Sequence, residues 1–406
     1  MLFKRISKKS IDIFILGTIT LMFIAMCGEA DIYVPAFPEM VTYFSTSEDK
    51  IQLILSLNFA GLCLASLICG PLSDALGRRK VLLIGLSAFF VSSLGCVFAQ
   101  DFTNMLVWRF IQGMSASVPM VVACAVFLDK YPLNKASQLI GIINSVISAA
   151  IAGAHILGAW LSSAFHWRLN FILITILVFL SLVGTWLFID ESLPKEKRTK
   201  LNLVGVLKGY GKLLTSFDFM GYTVISLLPF TGIVVYVSNL SLIFINHLEI
   251  STREFGFYQA PTMVSYLLFS AMSAKMIAKK GVDYTRNLGG GIILTGGTSL
   301  FLTALYAHTS PLWICLSMAV FAAGGALIVG IFAMKALELF PDMKGSASSM
   351  SAAIRQLLAF LLVIASELMF DGTIKPVAVL LFAYMGIALI WYIKIERTRR
   401  TMVNMT

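Results

Sequence analysis

The chain has 406 residues, of which 58% are hydrophobic and only 13% charged, against roughly 25% charged residues in an ordinary soluble domain. Its apolar residues fall in long runs such as 11–25 and 81–99, close to the roughly 20 residues a helix needs to cross a bilayer. A soluble monomer is therefore excluded, as is a transmembrane β-barrel, which would show short alternating segments instead.

In chain order, apolar runs bounded by charges, Pro and Gly predict twelve spans, near 11–40, 51–72, 81–99, 104–128, 137–161, 169–189, 218–245, 256–278, 288–307, 311–334, 346–369 and 376–394. The basic N-terminus (Lys4, Arg5, Lys8, Lys9) followed by an apolar run reads as the first of these helices, because no small-residue cleavage site follows it. That first span is too long for a straight crossing and holds Pro35 and Pro38, which predicts a tilt or a bend near its outer end. The six cysteines are scattered through apolar stretches without metal-ligand spacing and read as buried thiols.

Alternating the loops between the two sides sorts the charges. One set (the N-terminus, 70–80, 129–135, 190–217, 275–286, 335–344 and the C-terminus) carries 25 of the 31 Lys and Arg residues. The other carries four, Lys50, Arg168, Arg253 and Lys375, beside the acids Glu29, Asp31, Glu39, Glu48 and Asp49, which this reading assigns to the first outer loop. Cytoplasmic loops are the Lys- and Arg-rich ones, so both termini are expected to be cytoplasmic. Topology accounts for the net charge of +10, and no nucleic-acid face is expected. The hydrophilic stretch 191–217 separates a six-helix bundle at 1–190 from a second at 218–406. Halves of equal span number suggest an internal repeat, the organisation of transporters whose halves rock about a substrate near the midplane.

The strongest local signal is Gly70-Pro71-Leu72-Ser73-Asp74-Ala75-Leu76-Gly77-Arg78-Arg79-Lys80, between spans 2 and 3. Gly70 and Gly77 permit a tight turn, Asp74 can face a helix N-terminus, and the basic trio of Arg78, Arg79 and Lys80 holds the loop in the cytosol. This segment resembles motif A of the major facilitator superfamily. More narrowly, the chain resembles the Bcr/CflA drug-resistance transporters, through 31–38 (DIYVPAFP), 52–86, Arg109-Phe110-Ile111-Gln112-Gly113 in span 4, Trp167-Arg168, Glu191-Ser192-Leu193-Pro194 and Gly345-Ser346-Ala347-Ser348-Ser349. The resemblance implies an all-α polytopic fold of two pseudo-symmetric six-helix bundles, a bacterial-type inner membrane location and drug:proton antiport. One departure stands out. The family's span-5 motif, associated with export, has proline where His155 stands and glycine where Ala159 stands, which leaves the direction of transport open.

Two arginines, Arg109 and Arg355, lie deep within spans, where an insertion cost of about 2.5–3.5 kcal/mol requires them to face the protein interior or a watery cavity. Gln112 and Gly113 follow Arg109 at i+3 and i+4. The resemblance implies that Arg109 lies near span 1, with Asp31 as its partner, and Asp31 is expected to be the proton-responsive carboxylate; the alternative is an Asp31 at the outer surface. Arg355 and Gln356 read either as a cavity cation for an anionic substrate group or as an internal clamp, Arg355 to Glu367 or to a backbone carbonyl. Asn144, Ser148 and His155 share one face of span 5, which lines the cavity or glues helices together. His155 could titrate but is not expected to bind metal. Tyr33, Tyr236 and Tyr266 are the tyrosines expected in the substrate cavity, with Asn239 beside Tyr236 at i+3.

The chain is thus expected to be a monomeric, proton-coupled secondary transporter that exports small amphipathic compounds, with the proton gradient as its energy source and no cofactor. The alternative is an importer or exchanger of an anionic metabolite or siderophore-like chelate. No Walker-type phosphate loop supports an ATP-driven pump, no nucleophile elbow or His-Glu-x-x-His supports an enzyme, and the two unequal halves do not suggest the symmetry of a channel.

Overall fold

The computed structural model describes residues 8–198 and 203–403, whose regular elements are all helices, with no strand among them. Among the described residues twelve helices run to 21 residues or more. They are α1 (Lys8–Asp31), α2 (Leu53–Leu76), α3 (Arg78–Phe98), α4 (Phe102–Lys130), α5 (Leu133–Ala164) and α6 (Arg168–Phe188). The second series is α7 (Phe217–Ser241), α8 (Thr252–Lys280), α9 (Val282–Tyr306), α10 (Pro311–Glu338), α11 (Lys344–Leu368) and α12 (Lys375–Val403). Ten spans among the described residues are long and apolar enough to cross a membrane; α5 and α8 are not among the ten.

The first predicted span does break. Pro35 has no N–H to donate to the Asp31 carbonyl one turn back, so α1 ends at Asp31. A 3-10 turn at Val34–Ala36 follows, then a short helix Phe37–Phe44 with proline in its first turn, where the missing donor costs nothing. Side-chain caps start other helices. Asp101 accepts the Asn104 N–H at 2.8 Å ahead of α4, and Ser251 accepts the Glu254 N–H while donating to the Glu254 carboxylate at 2.8 Å ahead of α8. At the other end of α3, the Arg168 guanidinium donates to the carbonyls of Val97 and Ala99 at 3.0 Å each.

The chain forms two compact units, one of Met1–Tyr33 and Leu57–Asn202, the other of Val34–Ser56 and Leu203–Thr406. In unit one, α1 packs on α4, α5 and α6, and α3 packs between α4 and α6. Small residues let the backbones meet. A Cβ on Gly113 would strike the Asn58 carbonyl, and one on Gly61 would strike the Phe110 carbonyl, so α2 and α4 cross in main-chain contact.

In unit two, α7 is predominantly apolar and almost wholly buried, against α10, α11 and α12. Segment 34–56 belongs to this unit. The Val34–Ala36 turn lies on α7 and α8, Gln52 donates to Asn239 at 3.1 Å, and Glu48 accepts from Asn246 at 2.6 Å and pairs with His247 at 2.9 Å.

The α2–α4 crossing generates a prediction. Gly113→Ala should lower the Tm of the purified protein, because overpacking costs about 1–3 kcal/mol. Gly17→Ala, whose added methyl meets nothing within 4 Å, should leave Tm unchanged or raise it slightly. A differential thermal melt of the two variants checks this.

Candidate functional site

The densest buried polar cluster of unit one is built on Arg109 in α4, a fully buried side chain. Its Nη1 donates to Oε2 of Glu29 at 3.0 Å, to the Glu29 backbone carbonyl at 3.2 Å and to Oε1 of Gln112. Its Nη2 donates to the Tyr33 hydroxyl at 2.8 Å. The guanidinium also lies 4.4 Å from the centre of the Tyr33 ring, which stacks on Phe171 of α6 at 5.1 Å. Asn58 of α2 donates to Glu29 Oε2 at 2.9 Å, and Gln112 donates to Ser93 of α3 at 2.9 Å. One guanidinium thus joins α1, α2, α3, α4 and α6. Glu29 and Arg109 are 1% and 0% exposed, and an ion pair out of water is stable only when its remaining donors and acceptors are satisfied as most are here. Glu29 Oε1 is the exception, buried without a hydrogen-bond partner.

The carboxylate paired with Arg109 is Glu29, not Asp31, and Glu29 lies within α1, not in an outer loop. Successive helical residues turn by about 100°, so residues two apart point to nearly opposite sides and cannot share one guanidinium. Glu29 and Tyr33 are one turn apart, and both reach Arg109. That i, i+4 relation was the available signal for Glu29. Asn58 and Ser93 carried none beyond being polar residues in apolar helices. Asp31 closes α1 half-buried and makes no hydrogen bond or ion pair among the described residues.

On α5, a Cβ on Gly158 would strike the Ile32 carbonyl, which brings this helix against the end of α1. His155, one turn before Gly158, is buried, with neither ring nitrogen in a well-formed hydrogen bond although the Ile151 carbonyl lies one turn back. The side chains of Asn144 and Ser148 lie outside the described residues.

The remaining predicted residues fall in unit two and in two groups. Asn239, fully buried, accepts from Gln52 and donates to Ser366, whose hydroxyl donates back to Gln52 at 3.3 Å, giving a closed neutral ring. Tyr236, also fully buried, reaches Cys315 of α10 at 3.6 Å. In the second group Arg355 is half-buried over the Phe230 ring at 5.2 Å, with Tyr266 in electrostatic range and the buried Gln356 next in sequence. Arg355 does not clamp Glu367. They sit twelve residues apart on α11, about 18 Å along its axis at 1.5 Å per residue.

The Gly70–Lys80 segment is tied to two further places in unit one. Arg78 pairs with Asp74 and with Asp129 of α4, the latter at 3.1 Å, and its backbone N–H donates to Glu191 at 2.8 Å. Glu191 in turn pairs with Arg198 at 3.3 Å, and Arg79 donates to the Trp186 carbonyl at 2.8 Å. Asp74 meets the side chain of Arg78, the first residue of α3, while the Arg78 backbone N–H at that helix N-terminus goes to Glu191. Gly77 has φ +101°, and a Cβ there would strike both the Glu191 carboxylate and Arg198, so the knot requires glycine.

The chain matches the description Major Facilitator Superfamily over residues 14–363. It is 26% identical over 349 residues to a bicyclomycin resistance protein homolog of Haemophilus influenzae, covering 86% of this chain and 87% of that protein. It is also 26% identical over 322 residues to a chloramphenicol resistance protein of Pseudomonas aeruginosa, covering 79% and 75%. The xylose transporter XylE of E. coli, in a partially occluded inward-open conformation, has the same fold, with a TM-score of 0.73 at 16% identity over 95% of this chain and 98% of that one. A match over most of the chain, joined to a helical membrane fold, makes this protein a member of the Major Facilitator Superfamily, a family of transporters and not of enzymes.

Proposed function

We propose that the protein is a proton-coupled exporter of small amphipathic compounds, working as a monomer in the bacterial inner membrane by alternating access. In this reading all twelve long helices span the bilayer and both termini are cytoplasmic. The proton gradient supplies the energy, and no cofactor takes part. The likeness to bicyclomycin and chloramphenicol resistance proteins supports the substrate class and direction, and the loop charge asymmetry supports the orientation.

The observation that carries proton coupling is the contrast between two acids on one helix end. Glu29 is held by Arg109 and Asn58, so its charge is spent on the fold. Asp31, two residues later, is half-buried and makes no hydrogen bond or ion pair among the described residues. A carboxyl in that position changes its proton affinity when a conformational change alters its solvation or brings a cation near, which is what coupling requires. A second reading rests on Arg355 with Tyr266 and Phe230. A guanidinium over an aromatic face, with a tyrosine in electrostatic range, suits an anionic metabolite or siderophore-like chelate, carried inward or by exchange.

In proteoliposomes, Asp31→Asn should abolish substrate flux driven by a pH gradient while equilibrium substrate binding stays near wild type; undiminished pH-driven flux in this variant removes Asp31 from coupling. A thermal-shift panel separates the two substrate classes. Lipophilic cations and neutral drugs should raise Tm, since a ligand at 100 times its Kd stabilises by about 2.7 kcal/mol. Stabilisation by polycarboxylates alone, lost in Arg355→Gln, supports the second reading.

A further inference from the structure

Unit two carries a histidine, His247, outside the coupling and substrate residues. Where α7 ends, the chain widens into one π-helical turn, Leu242–His247, closed by the Leu248 N–H on the Ile243 carbonyl at 2.9 Å. A wider helix turns less per residue, so consecutive side chains stand closer together, and Asn246 and His247 reach the same carboxylate. Asn246 Nδ2 donates to Glu48 Oε1 at 2.6 Å, and His247 Nε2 lies 2.9 Å from Glu48 Oε2. Glu48 opens a one-turn helix, Glu48–Ile51, in the segment that links α1 to α2.

The imidazole is held in place from other sides as well. Phe370, just after α11, meets its ring at 6.2 Å between centres. Gly372, in the loop before α12, has φ +78°, and a Cβ there would strike the His247 ring, so the loop closes over the imidazole only with glycine. Asp371 fixes that loop by accepting from the N–H and the hydroxyl of Thr373 at 2.9 and 2.7 Å. The charged residues on the elements around His247 are Glu39, Glu48, Asp49 and Lys50 of the 34–56 segment, Glu249, Arg253 and Glu254 at the start of α8, and Glu367, Asp371 and Lys375 about the α11–α12 loop. Among the described residues His247 pairs with Glu48 alone; the two side chains are 44% and 28% exposed, open to protons from solution. Glu254 is engaged by Ser251, and Glu367 lies in electrostatic range of Asp49 and Lys50.

We propose that His247 and Glu48 form a clasp that holds the 34–56 segment on the rest of unit two more tightly when the outer solution is acidic. An imidazole changes charge between about pH 5 and 8. Protonated, it meets Glu48 as an ion pair with a charge-assisted hydrogen bond; neutral, it keeps at most an ordinary hydrogen bond, roughly half as strong. The ring of Gln52, Asn239 and Ser366 holds the same segment without charge, so the clasp adds a pH-dependent tie to a pH-independent one. Because the segment continues at both ends into α1 and α2, a movement that lifts it from unit two must open the clasp. Only the compartment whose acidity is sensed rests on the orientation proposed above; the clasp itself depends on neither the transported compound nor Asp31.

Hydrogen–deuterium exchange of the purified full-length protein tests this, with the protection of residues 37–52 corrected for intrinsic exchange and compared at about pH 5.5 and about pH 8.5, on either side of the imidazole range. In the wild type protection should be about threefold greater at the acidic pH, the weight of one partly exposed ion pair. That pH dependence should vanish in His247→Gln and in Glu48→Gln, which both keep a hydrogen-bonding side chain, and should persist in Glu367→Gln. It should persist in Asp31→Asn too, so a failure of the coupling reading leaves the clasp standing and the reverse also holds. Protection independent of pH in the wild type, a pH dependence that survives His247→Gln, or one lost in Glu367→Gln instead would each overturn the assignment.

Discussion

A guanidinium removed from water must find its counter-charge and its acceptors inside the protein, and in unit one that requirement falls on Arg109. It is met by Glu29, the Glu29 backbone carbonyl, Gln112 and the face and hydroxyl of Tyr33. Those partners are themselves held, Glu29 by Asn58 and Gln112 by Ser93. In an apolar surrounding the hydrophobic effect does not order helices against one another, so packing and polar bonds set their register. A single ion pair with its satellites therefore fixes where α1, α2, α3 and α4 lie, and glycines such as Gly61 and Gly113 let the backbones come close enough for short side chains to reach.

The two units solve the same problem with different chemistry. Unit two ties α7 and α11 to the 34–56 segment with a neutral ring of Gln52, Asn239 and Ser366, which carries no buried charge and asks for no counter-ion. Unit one uses full charges twice. The Arg109–Glu29 pair is buried, whereas the knot of Asp74, Arg78, Asp129, Glu191 and Arg198 lies near the surface, where each exposed pair contributes little and the shared geometry around Gly77 matters more. Neutralising Glu29 inside the fold leaves Asp31 as the acid at that end of α1 without such a partner. The proposed coupling thus depends on the structural pair doing its own work first.

The helices were legible in the sequence because twelve apolar runs separated by charged loops leave little choice, and the break at Pro35 followed from a missing donor. Arg109 was legible as a cation that had to face inward. Its partner was not, because hydropathy does not say at which residue a helix leaves the membrane, and Glu29 was counted with the loop acids. Asn239 was predicted to share a face with Tyr236. That it bonds to Gln52 and Ser366, 187 and 127 residues away, depends on tertiary packing that no local spacing encodes. Which glycines admit a neighbouring backbone was equally hidden, since Gly17, which meets nothing within 4 Å, reads the same in a membrane helix as Gly113, which meets the Asn58 carbonyl.

A double-mutant cycle on Glu29→Gln and Arg109→Met, read by unfolding of the purified protein, bears most directly on the primacy of this pair. Each single change leaves one buried charge uncompensated and should cost about 3–5 kcal/mol. The double variant should lose less than the sum of the two, by a coupling of about 1–3 kcal/mol. Losses that simply add would contradict the pairing of Glu29 with Arg109 as the interaction that holds unit one together.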